Sequence, residues 1–229
     1  MRRADFKIGD DVRLYLGDCR DVFPSIRKGH SLVTDPPYGL GDKRTGGTWG
    51  AKAMYSVDAR AWDRDVCQER IDAALALCPD AIVWGGQYYA LRPSRCWLVW
   101  DKVPRLRAMA DVEMAWTSFD RPSKAWRGDR SADGRKRHPT QKPVALMRWC
   151  LSFVRSRGVV FDPFMGSGST GVAAVISGRR FIGVERVPAY FELAVERIRS
   201  AHYGGPLLEE TIGSRTLFGG EADGDDTSL

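Results

Sequence analysis

Short apolar runs alternate along the chain with segments of helical periodicity, and most of these runs stop at glycine or proline. A short apolar run between turn signals is typical of a strand covered on both faces, and helices that join such strands predict a parallel sheet. We therefore expect an α/β fold with a largely parallel, covered sheet. The predicted strands are 12–16, 30–34, 81–86, 96–102, 111–118, 158–164 and 180–185, and the predicted helices are 64–77, 143–155, 169–178 and 188–200.

Charge is distributed unevenly along the 229 residues. The net charge is +6, but residues 201–229 hold six acids and one arginine, so residues 1–200 carry +11. Bases are densest at 121–137, which indicates either a loop that binds a polyanion or a solvated loop without a partner. We expect one domain over 1–200, followed by an acidic, glycine-rich tail whose composition is typical of disorder.

The cysteines and histidines exclude some classes of protein. They form no CxxC pair and have no zinc-site spacing, so we expect no metal and predict free thiols in a reducing cytoplasm. No apolar run has the length of a membrane span or of a signal peptide core, so no membrane partner is expected. The cysteines are Cys19, Cys67, Cys78, Cys96 and Cys150.

A glycine-rich turn, "GSGSTG" at 166–171, follows the predicted strand 158–164. The glycines allow close approach of a ligand to the backbone, and Glu185, at the end of the next strand, is suitably placed to bind a ribose diol. No lysine follows the glycines, and Asp162 would repel a pyrophosphate. S-adenosylmethionine has no phosphate and offers an ammonium to Asp162, so this sequence favours S-adenosylmethionine over NAD. A tight turn without a ligand is the structural alternative.

The segment "SLVTDPPYGL" leaves a predicted strand through two prolines. Pro36 and Pro37 restrict the backbone and supply no N–H, so the turn presents the Asp35 carboxylate and the Pro36 carbonyl as acceptors. Two fixed acceptors and the Tyr38 ring suit the exocyclic amine of a planar base, which they would hold in line with a methyl donor. Inside a duplex such a base must first be flipped out. A turn capped by Asp35, with Tyr38 packed inside, is the alternative.

The segments "TDPPYG", "HPTQKP" and "DPFMGSGST", in this order, resemble the β-class DNA amino-methyltransferases, which act on adenine N6 or cytosine N4. The resemblance extends over about residues 8–200, and the three motifs together are highly specific. It implies a seven-stranded, mostly parallel, Rossmann-like methyltransferase sheet with helices on both faces and a permuted motif order. It also implies S-adenosylmethionine as cofactor and double-stranded DNA as partner.

Site residues follow from this resemblance position by position. Asp35, Pro36, Pro37 and Tyr38 correspond to the catalytic, base-gripping turn. Asp18 matches the acid that contacts the cofactor adenine, and 140–142 the motif that closes over the methionine moiety. Without a ligand, Lys142 would be an exposed lysine at a helix start, where the helix dipole disfavours it. The predicted cofactor contacts are Asp18, Cys19, Asp35, Thr140, Gln141, Lys142, Asp162, Phe164, Gly166, Gly168, Ser169, Thr170 and Glu185.

DNA recognition is expected in two segments, 39–63 and 103–137, which are short for this family. Trp126 is a candidate for stacking or wedging, although a buried structural tryptophan is an equal alternative, and Gln87 has no assigned role. The family commonly dimerises, so we expect a homodimer, encoded by a bacterium or phage. The predicted DNA contacts are Lys43, Arg44, Lys52, Arg121, Lys124, Trp126, Arg127, Arg130, Arg135, Lys136 and Arg137.

Adenine N6 is the expected target, because in the family an aspartate at the position of Asp35 is associated with adenine. The physics does not separate the two amines, so a cytosine-N4 enzyme is the first alternative. An RNA or protein amide methyltransferase and a catalytically silent DNA-binding module are more remote ones. Every motif keeps its chemically active residues, which argues against the silent module.

Overall fold

The computed structural model describes residues 5–39, 66–105, 110–129, 141–154 and 158–204. These residues form nine strands and four α-helices. The strands are β1 (Phe6–Ile8), β2 (Val12–Leu16), β3 (Ser31–Thr34), β4 (Asp80–Trp84), β5 (Trp97–Val103), β6 (Val112–Thr117), β7 (Lys124–Asp129), β8 (Val160–Asp162) and β9 (Phe181–Glu185). The helices are α1 (Gln68–Leu77), α2 (Val144–Phe153), α3 (Ser169–Ile176) and α4 (Pro188–His202).

All nine strands belong to one sheet, in the order β1-β2-β9-β8-β3-β4-β6-β5-β7. The five neighbouring strands β2, β9, β8, β3 and β4 run parallel to one another. The short strand β1 pairs antiparallel with β2. On the other side β6 runs antiparallel to both β4 and β5, while β7 runs parallel to β5. The predicted α/β class and the mostly parallel sheet are therefore confirmed, with nine strands in the described residues instead of seven.

Helices cover both faces of the sheet. Adjacent residues of one strand alternate between two hydrophobic clusters, as the side-chain period of two requires: Val33 lies in one cluster and Leu32 in the other. Helices α2, α3 and α4 pack on the cluster that contains Val33, and α1 packs on the opposite one through Ile71 and Ala74. The core thus lies in two layers, and the parallel strand ends remain accessible at one edge.

The structure differs from the prediction at β1, which was not predicted, and in the segment 121–137. Residues 121–137 were expected to form a basic loop, but Lys124–Asp129 is the edge strand β7, paired with β5 in the register Leu98↔Lys124. It has two exposed bases, Lys124 and Arg127, and the half-buried Trp126, whose ring lies 6.3 Å from that of Trp100. A strand with one large apolar residue among charged and small ones shows no alternating hydrophobic pattern. Residues 130–137 lie outside the described part of the chain.

Candidate active site

Several predicted site residues meet at the carboxyl edge of the parallel strands. Strands β3 and β8 are neighbours, and the Thr34 hydroxyl donates to Asp162 Oδ1 over 2.7 Å, which joins the ends of these two strands. A cavity of about 280 Å³ opens at this edge. Its lining includes the predicted residues Asp18, Cys19, Asp35, Pro37, Gln141, Lys142, Asp162, Phe164, Gly166, Ser169, Thr170 and Glu185.

The proline turn after β3 is held by its own Tyr38 and by side chains from two other parts of the chain. Tyr38 donates its hydroxyl hydrogen to Asp35 Oδ1 over 2.5 Å, and Lys142 Nζ lies 2.6 Å from Asp35 Oδ2. The Tyr89 hydroxyl donates to the carbonyl of Pro37, and Pro36 is buried. Both oxygens of the Asp35 carboxylate therefore have a fixed donor, and the carboxylate plane is set before any ligand binds.

The Tyr38 ring lies between glycine backbone and a second tyrosine. A Cβ atom on Gly85, whose φ is +67°, would lie 2.0 Å from Tyr38 Cε1, so only glycine allows this approach. Tyr88 stacks on Tyr38, with ring centroids 5.0 Å apart and an interplanar angle of 23°, and it is itself exposed. Tyr88 was not among the predicted site residues; its position in a 3₁₀ turn after β4 brings it here.

Lys142 is buried instead of solvent-exposed. Its ammonium lies 2.6 Å from Asp35 Oδ2, 3.0 Å from Glu113 Oε2 and 3.4 Å from the Tyr38 hydroxyl. Burial lowers the pKa of Lys142, but Asp35 and Glu113 outweigh burial, and the net shift is upward. Lys142 lines the cavity, and its ion pairs run to the proline turn and to β6.

Sequence reasoning missed Glu113 and Lys102. Burial alone would raise the pKa of Glu113, but Lys142 and Lys102 outweigh it and hold this pKa at about 2. Glu113 Oε1 pairs with the buried Lys102, whose ammonium lies 5.1 Å from the Trp100 ring centroid. Because β6 is antiparallel to β4, its first residues lie beside the carboxyl ends of the parallel strands, and no local motif marks them.

The glycine loop and Asp162 close one side of the cavity. Asp162 is 2% exposed and accepts from Thr34 and, over 3.1 Å, from the N–H of Phe164. Burial raises the pKa of Asp162 to about 6, although these hydrogen bonds oppose the shift. Gly166 and Gly168 have φ of +51° and +80°, which favours glycine at both positions. Of the two, Gly166 lines the cavity, whereas a Cβ on Gly168 would lie 3.0 Å from the Cβ of Ala194 on α4. Ser169 and Thr170, both buried, begin α3.

Glu185 ties the end of β9 to the glycine loop. Its Oε2 accepts from the N–H of Gly166 over 2.9 Å and its Oε1 from the N–H of Val187 over 2.7 Å. Each oxygen keeps a second lone pair, so the carboxylate can still accept from two hydroxyl groups. Burial raises the pKa of Glu185, and the backbone N–H groups oppose that shift.

Asp18 has more donors than the sequence indicated. Its Oδ1 accepts from the backbone N–H and Nε of Arg20, and its Oδ2 accepts from Arg20 Nη2 over 2.9 Å and from Arg70 Nη2 over 3.1 Å. Burial raises its pKa, but these contacts outweigh burial and lower it. The four acceptor positions are filled by arginine, so a ligand amine must displace a donor. Cys19 beside it is buried, which raises the pKa of its thiol to about 12.

Of the predicted DNA contacts that the structure describes, some are exposed and others pack against the protein itself. Lys124 and Arg127 are exposed on β7, whereas Arg121 donates to the Phe153 carbonyl and lies over the Phe119 and Phe153 rings. Trp126 packs against the core, in line with the structural alternative. The other predicted contacts lie outside the described residues: Lys43, Arg44, Lys52, Arg130, Arg135, Lys136, Arg137 and the cofactor contact Thr140.

The described residues contain neither a metal-binding cluster nor a membrane-spanning helix. No group of three or more histidine, cysteine, aspartate or glutamate side chains there is arranged to hold a metal ion. No helix there has the length and apolarity that crossing a membrane requires.

A family model described as DNA methylase, of the N6/N4 type, matches residues 83–196, which include Glu113, Lys142, the glycine loop and Glu185. The chain belongs to this family. The DNA methylase chain is also 38% identical over 101 residues to the type II methyltransferase M2.LlaDCHI of Lactococcus lactis, covering 43% of this chain and 34% of that protein. Curated relatives are matched over only 19 to 34% of their own length.

Solved structures match the DNA methylase chain over most of its length. The M1.HpyAVI–SAM complex aligns with a TM-score of 0.55 and 24% identity, covering 82% of this chain and 98% of that one. The cytosine-N4-specific PvuII DNA methyltransferase aligns with a TM-score of 0.52 and 16% identity, covering 85% and 92%. At these identities the matches establish a shared fold.

Proposed function

We propose that this chain is a site-specific DNA methyltransferase that transfers a methyl group from S-adenosylmethionine to N6 of a flipped-out adenine. The observation that carries the proposal is the adjacency of β3 and β8. Because these strands are neighbours, the Asp35 turn and the glycine loop after Asp162 border one cavity. Membership of the DNA methylase family and similarity to a type II methyltransferase support the same reaction.

The residues around the cavity fit S-adenosylmethionine. Asp162 is a buried carboxylate that can pair with an ammonium, and Glu185 can accept from a ribose diol. Gly166 lines the cavity without a side chain, so a ligand can approach the loop backbone there. A volume of about 280 Å³ is close to the lower limit of roughly 300 Å³ for small-molecule sites. When bound, this cofactor would supply a methyl group on a sulfonium as the electrophile.

The chain's own residues would bind and orient the amine. Asp35 and the Pro36 carbonyl would accept its two hydrogens, so that its lone pair is directed away from the base plane. The amine nitrogen would attack the methyl carbon, the electron pair of the methyl–sulfur bond would leave with the sulfur, and the nitrogen would lose one proton, which Asp35 would pass to water. Positive charge develops on the amine before that loss, and the Asp35 carboxylate stabilises it. Tyr38 would stack under the base, and this requires Tyr88 to move, because the other face of the Tyr38 ring lies on the Gly85 backbone.

Adenine is preferred over cytosine on the family association of aspartate at position 35. The alternative is cytosine N4, which can make the same two hydrogen bonds, and PvuII DNA methyltransferase has this specificity on the same fold. We also propose that segments 39–63 and 103–137 contact double-stranded DNA. A homodimer would extend the contact beyond what one short recognition region covers.

The decisive experiment incubates the chain with unmethylated genomic DNA and methyl-labelled S-adenosylmethionine, then digests the DNA to nucleosides for mass analysis. N6-methyladenine is expected, whereas N4-methylcytosine would support the alternative target. Asp35→Ala should lose most of the transfer, by about a hundredfold or more, and should weaken S-adenosylmethionine binding in calorimetry far less, because the other cofactor contacts remain. Unlabelled DNA with the wild-type chain, or full turnover by Asp35→Ala, would contradict the proposal.

A further inference from the structure

Four charged side chains form a continuous series at the edge of the sheet. Asp35 pairs with Lys142 over 2.6 Å, Lys142 pairs with Glu113 over 3.0 Å, and Glu113 pairs with Lys102 through its other oxygen. The charges alternate in sign along this series. The series begins at the residue after β3, passes Lys142, which lies two residues before α2, and ends on β6 and β5, so four separate parts of the chain contribute to it.

Lys142 is the shared member of the series. Its side chain is 6% exposed, so its ammonium depends on protein carboxylates for compensation. The side chains of Asp35 and Glu113 are 19% and 27% exposed, and both lie within hydrogen-bonding distance of the ammonium. One positive charge is therefore divided between the base-gripping carboxylate and a carboxylate on β6.

We propose that Glu113 is a positioning residue that acts through Lys142 on Asp35. By binding part of the Lys142 ammonium, Glu113 keeps Lys142 from neutralising Asp35 completely while still letting it orient the Asp35 carboxylate. This inference rests on the proposed function, because it assigns to Glu113 a role in the same transfer step.

The consequence follows from the charge that develops on the reacting amine. The Asp35 carboxylate stabilises that positive charge by attraction. If Lys142 pairs with Asp35 alone, its ammonium cancels more of the Asp35 charge, and the stabilisation of the amine is weaker. In Glu113→Gln the whole Lys142 charge falls on Asp35, and the transfer step slows. Lys142 keeps its place in the cavity wall, so cofactor binding changes little.

The test measures kcat and KM with unmethylated genomic DNA, and separately the Kd for S-adenosylmethionine and the Tm of the free protein. Glu113→Gln is expected to lower kcat about tenfold or more and to leave the Kd within about twofold. Glu113→Asp keeps the charge on a shorter side chain, and an intermediate kcat is expected.

A second variant separates positioning from a purely structural role. Lys102→Met/Glu113→Gln removes two opposite charges together, so no buried Lys102 is left without its carboxylate. Its Tm should return towards that of the wild type while its kcat stays low. The matched control is Asp120→Asn, which breaks the 2.6 Å pair with Arg95 at the exposed surface, where the side chains are 79% and 72% exposed; neither kcat nor Tm should change appreciably.

Three results overturn the inference. These are a wild-type kcat in Glu113→Gln, recovery of kcat together with Tm in the double variant, and a loss of cofactor affinity that accounts for the whole defect in Glu113→Gln. A wild-type chain that transfers no methyl group is distinguishable from all three, since it contradicts the proposed function itself and this role for Glu113 with it.

Discussion

Asp162 shows how burial at a single residue links stability to ligand binding. The pKa of its carboxyl group is raised from 3.8 to about 6, mainly by burial. Between these values the folded state binds more protons than the unfolded state, so this group's contribution to stability falls as pH rises from about 4 to about 6. A bound ammonium would favour the ionised form and recover that loss.

Asp162→Asn is therefore expected to stabilise the free protein near neutral pH and to weaken the cofactor complex. The gain at pH 7.5 is at most about 3 kcal/mol, from roughly 1.4 kcal/mol per pKa unit, and it should vanish near pH 4. Urea unfolding at the two pH values measures the first effect. Calorimetry should show S-adenosylmethionine binding about tenfold weaker or more. A variant destabilised equally at both pH values would contradict this account.

Gly85 offers a second test at the residue scale, with Gly178 as its matched control. Both have a left-handed backbone, with φ of +67° and +66°, so alanine at either costs about 1–2 kcal/mol in backbone strain. Only Gly85→Ala would also collide with the Tyr38 ring, because no atom lies within 4 Å of a Cβ on Gly178. We expect a larger loss of stability and a lower transfer rate in Gly85→Ala alone. Equal effects on unfolding and on turnover would show that the Tyr38 contact is not needed.

At the scale of elements, helix α4 supports the glycine loop through one arginine. Arg197 Nη1 donates to the Ser167 carbonyl over 2.8 Å, to Ser167 Oγ over 3.1 Å and to Ser169 Oγ over 3.2 Å. Arg197 is 7% exposed, so these bonds are shielded from water. The helix therefore restrains the loop that borders the cavity, although α4 itself contributes no predicted cofactor contact.

Arg197→Met should destabilise the protein by about 1–3 kcal/mol, because a buried carbonyl and two hydroxyl groups lose their donor. It should raise the KM for S-adenosylmethionine more than it lowers kcat, since the loop is proposed to bind the cofactor. The control is Arg199→Met, an exposed arginine on the same helix, expected to change stability by about 0.5 kcal/mol or less. Hydrogen exchange at 166–169 would report the loss of loop restraint. Indistinguishable exchange in the two variants would rule out the support.

For the molecule as a whole, the distribution of charge is the feature that bears on DNA. Residues 1–200 carry +11, and the residues after 200 reduce this to +6. Those after 204 lie outside the described structure, but their charge acts over distance in dilute salt. A negative segment on the same chain competes with DNA phosphates for the basic surface.

A chain that ends at Gly204 should bind DNA about threefold more tightly or better at low salt. The difference should disappear near 1 M salt, where the screening length is about 3 Å. Fluorescence anisotropy with a labelled duplex measures both. A full-length variant with amides in place of all six acids should behave like the truncated chain; if it binds like the wild type instead, charge is not the cause. Those acids are Glu209, Glu210, Glu221, Asp223, Asp225 and Asp226.

The local sequence pattern was sufficient to predict many of the strands and turns of this protein. The strands that end at Thr34, Asp162 and Glu185, and the turns that follow them, could be predicted because short apolar runs and proline or glycine turns are properties of neighbouring residues. The same patterns missed β1, which has three residues, and β7, whose bases conceal its period. Because the sheet was predicted to be parallel, these strand ends were expected at the same edge of the sheet. The strands β9, β8 and β3 are indeed neighbours in the sheet.

The amino-acid sequence by itself thus determined the fold class, the two motif-bearing turns and the carboxylates that lie at the sheet edge. Only the tertiary structure decided which groups those carboxylates contact. The antiparallel placement of β6 brings Glu113 to Lys142, and the folding of Arg20 and Arg70 onto Asp18 fills its acceptors. These pairs depend on strand order and chain crossing between distant residues, and no local periodicity encodes such contacts.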